Sequence, residues 1–216
     1  MIHFQRAVNY LWRHDQYIPP DLLGDLGDIG AVKTVKYYTR VLTKAMRDLY
    51  SGQITEDQFI DQHALYVDRQ LRRAWNEGMR ANGLDPKDMT PEWEQIYQNA
   101  VADEYQYIDG LAAEIVQAKA EGRAIDAQIK RAELWANRWN DVYNRALVET
   151  GGNILLAWHL GQTEDHCVDC LNYDNQVKTA DDWKAEKQPQ SRELECGGWR
   201  CDCTLSPVKV DNEYPV

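Results

Sequence analysis

Apolar residues recur at spacings of three and four from Ala31 to about Gly152, and this rhythm constrains the fold more than any other feature of the sequence. Such spacing places apolar side chains along one stripe of an α-helix, and each stripe must be buried. Stop signals at Gly52, Gly83, Gly122 and Gly151–Gly152 predict four helices. Their stripes are Val35, Tyr38, Leu42, Ala45 and Leu49; Ile60, Ala64, Val67, Leu71 and Ala74; Trp93, Tyr97, Ala100, Ile108, Ala112 and Ile115; and Ile125, Ile129, Ala132, Ala136, Trp139, Tyr143 and Ala146.

Two of these helices have recognisable start signals. Thr55 is followed three residues later by Gln58, which is the pattern of a capping box. Thr90 precedes Pro91, and proline is favoured at the first position of a helix. We therefore expect helices to begin directly after Thr55 and Thr90.

Four helices joined by short Gly or Pro turns predict a mainly α fold, either an elongated antiparallel bundle or paired helical hairpins. The fourth helix would be roughly 40 Å long. The rhythm is also compatible with coiled-coil pairing, so a homo-oligomer through the long helices stays open. Because the stripes mix Ala with Trp and Tyr instead of repeating Leu or Ile, packing within one chain is favoured.

The first thirty residues predict an arm. Apolar residues between Phe4 and Trp12 have the spacing of a short helix, which Pro19–Pro20 would end. The following "DLLGDLGDIG" predicts a loop whose apolar side chains dock on the bundle or on a partner. Charged residues throughout this stretch argue against an ordinary signal peptide, and no apolar run is long enough to span a membrane.

All five cysteines lie in the C-terminal part of the chain, after the strand-length apolar run "NILLAWHL". Cys167 and Cys170 form a C-x-x-C pair typical of a zinc knuckle, and Cys196, Cys201 and Cys203 follow in "CGGWRCDC". This pattern favours one structural zinc ion held by four of the five thiols, which would supply folding energy to a polar segment. The odd number of cysteines and the C-x-x-C spacing argue against a disulfide framework.

The favoured ligand set adds Cys196 and Cys201 to the knuckle, because chelation by Cys201 together with Cys203 is sterically tighter. Cys203 is the alternative ligand, and the choice among the last three cysteines stays open. An ion with four protein ligands has no open position and is structural. The neighbouring His166 would then be a bystander.

The residues of the chain do not form a familiar catalytic pattern. Its three serines occur outside nucleophile-elbow patterns, and no histidine follows His166 to complete a catalytic metal site. We therefore expect a protein that is not an enzyme, without catalytic residues.

These features divide the chain into an N-terminal arm (1–30), a long-helix domain (31–152) and a small zinc-stapled α+β module (153–216). The chain carries 24 Lys and Arg against 35 Asp and Glu, a net charge of −11. Proteins that bind phosphates usually show a basic surplus or a basic stripe. Nucleic acid is therefore disfavoured as the main partner.

The C-terminal module contains, in order, a strand-length run, the C-x-x-C pair, the turn "NQV" and the closing "CDCTLSP". This order resembles the end of phage head-morphogenesis proteins, the Mu F-like minor head family. Many members have a His-Pro element where this chain has Cys196, and Arg between the closing cysteines where it has Asp202. Cys196 keeps a zinc ligand, whereas Asp202 weakens any contact with nucleic acid or an acidic partner that the resemblance would imply.

The resemblance implies a low-copy minor head protein that associates with portal or capsid proteins during procapsid assembly, DNA packaging or delivery. It places the protein in the virion, and in the host cytoplasm during assembly. The alternative is a nucleic-acid-binding regulator that uses the zinc module, with Lys and Arg for the backbone and Trp183 and Trp199 for stacking on bases.

Overall fold

The computed structural model describes residues 31–162, 165–198 and 201–208, and the predicted arm, 1–30, lies outside the described residues. The predicted mainly α fold is confirmed: long helices precede a small antiparallel sheet flanked by short helices. The helices are α1 (Ala31–Ser51), α2 (Glu56–Ala81), α3 (Pro91–Tyr105), α4 (Ile108–Ala120), α5 (Asp126–Gly151), α6 (Val168–Tyr173) and α7 (Ala180–Ala185), with a 3-10 turn at Pro86–Asp88. The strands are β1 (Leu155–His159), β2 (Val177–Thr179) and β3 (Thr204–Pro207).

The predicted helix starts are present with their capping bonds. The Thr55 N–H donates to Gln58 Oε1 at 2.9 Å, and the Gln58 N–H donates to Thr55 Oγ1 at 3.2 Å. Thr90 Oγ1 accepts the Trp93 N–H at 3.2 Å, and Pro91 is the first residue of α3. Hydrogen bonds between near neighbours therefore define where α2 and α3 begin.

The third predicted helix is wrong as one continuous element, because the structure divides it into α3 and α4. Gln106 and Tyr107 separate the two, and Gln106 Nε2 donates to the Asp103 carbonyl at 2.7 Å near the end of α3. Ala100 and Ile108 are both buried, so the apolar rhythm continues across the break. For this reason the rhythm does not reveal it.

By their internal contacts, the described residues group into two compact units. One contains the residues up to Leu71 together with Gln98–Asn137, and the other contains Arg72–Tyr97 together with the residues from Arg138 onward. In the first unit α1 packs against α4, and the predicted stripe of α1 is buried from Tyr38 to Leu49. The predicted domain limits at 30 and 152 and the predicted bundle or hairpin arrangement stay predictions.

Within the second unit, α2 and α5 approach closely at Gly78. A Cβ atom on Gly78 would lie 2.6 Å from the Ala146 Cβ and 2.8 Å from the Tyr143 carbonyl oxygen. Only a residue without a side chain allows this backbone separation.

The sheet of the second unit has the strand order β2–β1–β3, with both pairs antiparallel. Alternation along β1 puts Leu156 and Trp158 on one face, where both are fully buried. Trp183 of α7 lies 5.4 Å from Trp158 between ring centroids and donates from Nε1 to the Leu156 carbonyl at 3.0 Å. The same apolar cluster includes three thiols, those of Cys170, Cys201 and Cys203.

The sequence predicts no segment that spans a membrane, and the long helices test this prediction. Among the described residues, no helix combines the length and the apolar character that crossing a bilayer requires.

Candidate metal centre

Helix α6 positions the first two thiols. Cys167 stands at its N-cap with an extended backbone, and Cys170 lies within its first turn. The Leu171 N–H donates to the Cys167 carbonyl at 3.1 Å, which closes the turn. The two Sγ atoms are consequently 3.4 Å apart.

The loop that carries Cys196 is joined to α6 by two carboxylates. Glu195 Oε2 accepts the Val168 N–H at 2.8 Å, and Asp169 Oδ2 accepts the Glu195 N–H at 2.8 Å. The Lys187 ammonium also donates to Asp169 Oδ2, at 2.9 Å. These reciprocal bonds place Cys196 beside the knuckle.

A buried amide pair positions the segment that contains Cys201 and Cys203. Asn144 Nδ2 donates to Gln190 Oε1 at 2.7 Å and to the Cys203 carbonyl at 3.2 Å, and Asn144 Oδ1 accepts the Leu205 N–H at 2.8 Å. Gln190 Nε2 donates to the carbonyls of Cys201 and Cys203 at 2.9 and 2.7 Å. Every hydrogen-bonding group of the two amides is satisfied.

Sequence reasoning missed this amide pair. Asn144 follows Tyr143 on α5 and is fully buried, while Gln190 is buried in a turn with a φ of 61°. A single polar residue in a helix is ordinarily interpreted as solvent-exposed, and no pattern in the sequence marks these two as partners.

The five thiols form one cluster around Cys170. The Sγ atoms of Cys167, Cys170 and Cys196 lie within 4.8 Å of one another, and so do those of Cys170, Cys201 and Cys203. The Cys170 and Cys201 Sγ atoms are 3.7 Å apart, and all five cysteines are free.

These sulfur separations fit a metal ion. The edge of a tetrahedron with Zn–S bonds of about 2.3 Å is about 3.8 Å, whereas bonded sulfurs in a disulfide are about 2.05 Å apart. The predicted cluster of soft ligands therefore exists in a geometry compatible with an ion. Cys196 and Cys203 belong to different groups, so the ligand set chosen from the sequence stays a prediction.

The thiols differ in how readily they ionise. Burial, and then the Cys201 thiol nearby, raise the pKa of Cys170 well above its ordinary value. A hydrogen bond with Cys203, and then burial, raise the pKa of Cys201 in the same direction. Burial opposes ionisation of Cys167 as well, but hydrogen bonds from Cys170 and Cys196 outweigh it and lower the pKa of Cys167. A cation at the centre would compensate the charge that burial disfavours.

A third group of donors adjoins the thiols and includes the histidine expected to be a bystander. One donor atom each from His166, Asp202 and Cys203 lie within 4.8 Å of one another. Asp202 Oδ2 accepts the Gln162 N–H at 2.6 Å. A Cβ atom on Gly161 would lie only 1.9 Å from Asp202 Oδ1, so this glycine leaves the space that the carboxylate fills.

Comparison of the chain with protein-family models, with curated proteins and with solved structures finds no match. The chemistry of the cluster and the order of its motifs are therefore the observations that bear on function.

Proposed function

We propose that the protein is a phage minor head protein, a structural and non-enzymatic component that associates with portal or capsid proteins during procapsid assembly, DNA packaging or delivery. The observation that carries the proposal is the convergence of the motifs that resemble the Mu F-like family. The C-x-x-C knuckle and the closing Cys-x-Cys pair meet at a Cys170–Cys201 sulfur separation of 3.7 Å.

The other parts of the resemblance also have a place in this module. In the turn before β2, Asn175 has a left-handed φ of 60° and its N–H donates to the Trp158 carbonyl at 3.0 Å. Leu205, which follows the closing pair, is buried opposite Trp158 on β1, and Pro207 pairs with Leu156. Residues that are far apart along the module therefore contribute to the same small sheet, and this supports the proposed resemblance.

In this proposal the module is held by one structural zinc ion. The donors are soft thiolates, which zinc prefers, and their spacing agrees with a tetrahedral edge. The sequence-favoured ligands are Cys167, Cys170, Cys196 and Cys201. Such an ion would contribute folding free energy to a module with short strands and short helices.

The alternative of a nucleic-acid-binding regulator is disfavoured by the partners of the basic side chains. Lys178 pairs with Glu186 at 2.6 Å, Lys184 with Glu149 at 2.6 Å and Lys187 with Asp169 at 2.9 Å. Trp183, one of the two tryptophans suggested for base stacking, is fully buried.

The apolar surface of the module favours a protein partner instead. Val168 and Leu171 on α6 are 57% and 56% exposed, although both are large aliphatic side chains. Aliphatic side chains contribute to protein interfaces and cannot neutralise phosphates. This surface is compatible with attachment to a portal or capsid protein.

The proposal is tested by co-expressing the tagged full-length chain with the portal and capsid proteins encoded beside it, followed by nuclease treatment and affinity capture. We expect portal or capsid protein in nuclease-resistant complexes. The variant Leu171→Asp should weaken capture, whereas Leu134→Asp, at an exposed leucine of α5, serves as the matched control. Recovery of nucleic acid alone, with binding that falls steeply as salt is added, would support the regulator.

A further inference from the structure

We propose a second metal site, formed by His166, Asp202 and Cys203 and distinct from the four-thiolate centre. It rests on the proposed zinc centre, because Cys203 serves the second site only when the other four cysteines hold the first ion. The proposal gives a role to the histidine and the aspartate that the first centre does not use.

Two of the three donors, Asp202 and Cys203, are held in place by contacts that do not depend on a metal. The Gln162 N–H bond and the space left by Gly161 fix the Asp202 carboxylate. Cys203 is 1% exposed, and its carbonyl accepts hydrogen bonds from Asn144 and Gln190. The donor atoms of both residues lie within 4.8 Å of a ring nitrogen of His166, which is half-buried.

The mixture of donors determines what the site would bind. One imidazole nitrogen, one carboxylate oxygen and one thiolate suit a divalent zinc-like cation of borderline softness. Three protein ligands leave the fourth tetrahedral position to water or to a small anionic ligand. The second site therefore differs from the first centre in having an exchangeable position.

The charge of the first centre favours a second cation. Four thiolates around one Zn²⁺ leave a net negative charge at that centre. The Cys203 sulfur lies within 4.8 Å of the Cys170 and Cys201 sulfurs, which belong to it. At such a separation inside a protein, Coulomb attraction contributes to the binding of a cation.

The experiment measures the zinc content of the full-length chain after loading and removal of loosely bound metal. We expect two ions per chain in the unmodified protein. His166→Gln and Asp202→Asn should each lower the affinity of the second site for zinc by more than about 100-fold. Loss of a direct ligand has a larger effect than loss of an outer hydrogen bond. His159→Gln is the matched control, since His159 bonds to Ser206 outside the group and should leave both ions bound.

Cobalt substitution gives a second readout. Azide should change the visible spectrum of the unmodified cobalt protein and should not change that of His166→Gln, because only the mixed site has an open position. A zinc content of one ion per chain that does not change in His166→Gln would contradict the second site and would still be consistent with the four-thiolate centre. Failure to retain any zinc would overturn both.

Discussion

Asn144 and Gln190 determine at the level of single residues where the closing cysteines lie. Their amides bridge α5 to the backbone of Cys201, Cys203 and Leu205. The position of the backbone limits where the thiol of a cysteine can bind a metal ion. The amide pair is therefore a positioning device for the metal centre.

We expect Asn144→Ala to lower the free energy of unfolding by about 3 kcal/mol or more, because it leaves several buried groups without partners. It should also weaken zinc binding. Chemical denaturation and zinc competition measure the two effects. Asn153→Ala, at an exposed position after α5, is the control and should change stability by less than about 0.5 kcal/mol. Equal stability of the two variants would contradict the assigned role.

His63 is a second residue whose burial has a measurable consequence. It is fully buried beside the rings of Phe59 and Trp135, and neither ring nitrogen has a hydrogen-bond partner among the described residues. Burial lowers the pKa of His63 to about 3. The folded protein thus binds the proton less readily than the unfolded chain, whose His has a pKa of about 6.5.

Stability should therefore fall as pH decreases from about 6.5 towards 3, with His63 contributing roughly 1 kcal/mol per pH unit. His63→Leu should remove that contribution, so that its advantage over the unmodified protein grows as pH falls. Urea unfolding at pH 7, 6, 5 and 4 measures this difference. A constant difference between His63→Leu and the unmodified protein at all pH values would refute the prediction.

At the scale of elements, the contact between α2 and α5 depends on Gly78. Gly78→Ala should lower the free energy of unfolding by about 1–3 kcal/mol, because its Cβ would overlap the Ala146 Cβ and the Tyr143 carbonyl. Gly110→Ala in α4 is a matched control, since nothing lies within 4 Å of its Cβ position. That variant should gain up to about 1 kcal/mol from helix propensity. Thermal unfolding of both variants tests the contact, and a stabilised Gly78→Ala would show that the helices are farther apart.

The elements differ in how far local sequence determines them. The start of α2 follows from Thr55 and Gln58, whose bonds span three residues. The break between α3 and α4 does not follow from the apolar pattern, because Ala100 and Ile108 are buried on both sides of it. A periodic stripe records which residues are buried and is insensitive to a short interruption of the helix.

For the molecule as a whole, we expect the two compact units to differ in their sources of stability. The first unit is held by apolar contacts such as those between α1 and α4. We expect the stability of the cysteine-rich module in the second unit to depend also on its metal.

We therefore expect Cys170→Ser to abolish zinc retention and disrupt the C-terminal module while most of the helical signal remains. Near-ultraviolet circular dichroism should lose the signature of the packed Trp158 and Trp183, whereas far-ultraviolet dichroism should change little. A strong chelator added to the unmodified protein should have the same effect. Ser206→Ala, a similarly small change in the module, is the control. Collapse of the far-ultraviolet signal in Cys170→Ser would show that the two parts fold as one.

The mainly α class, the starts of α2 and α3, the stripe of α1 and the pairing of Cys167 with Cys170 could be predicted from the sequence, because each depends on residues a few positions apart. The contacts between distant groups are known from the folded structure alone: Cys201 meets the knuckle, Asn144 the closing segment, and His166 lies near Asp202. Buried hydrogen bonds and apolar packing between elements far apart in the chain bring these neighbours together. No local spacing encodes such contacts.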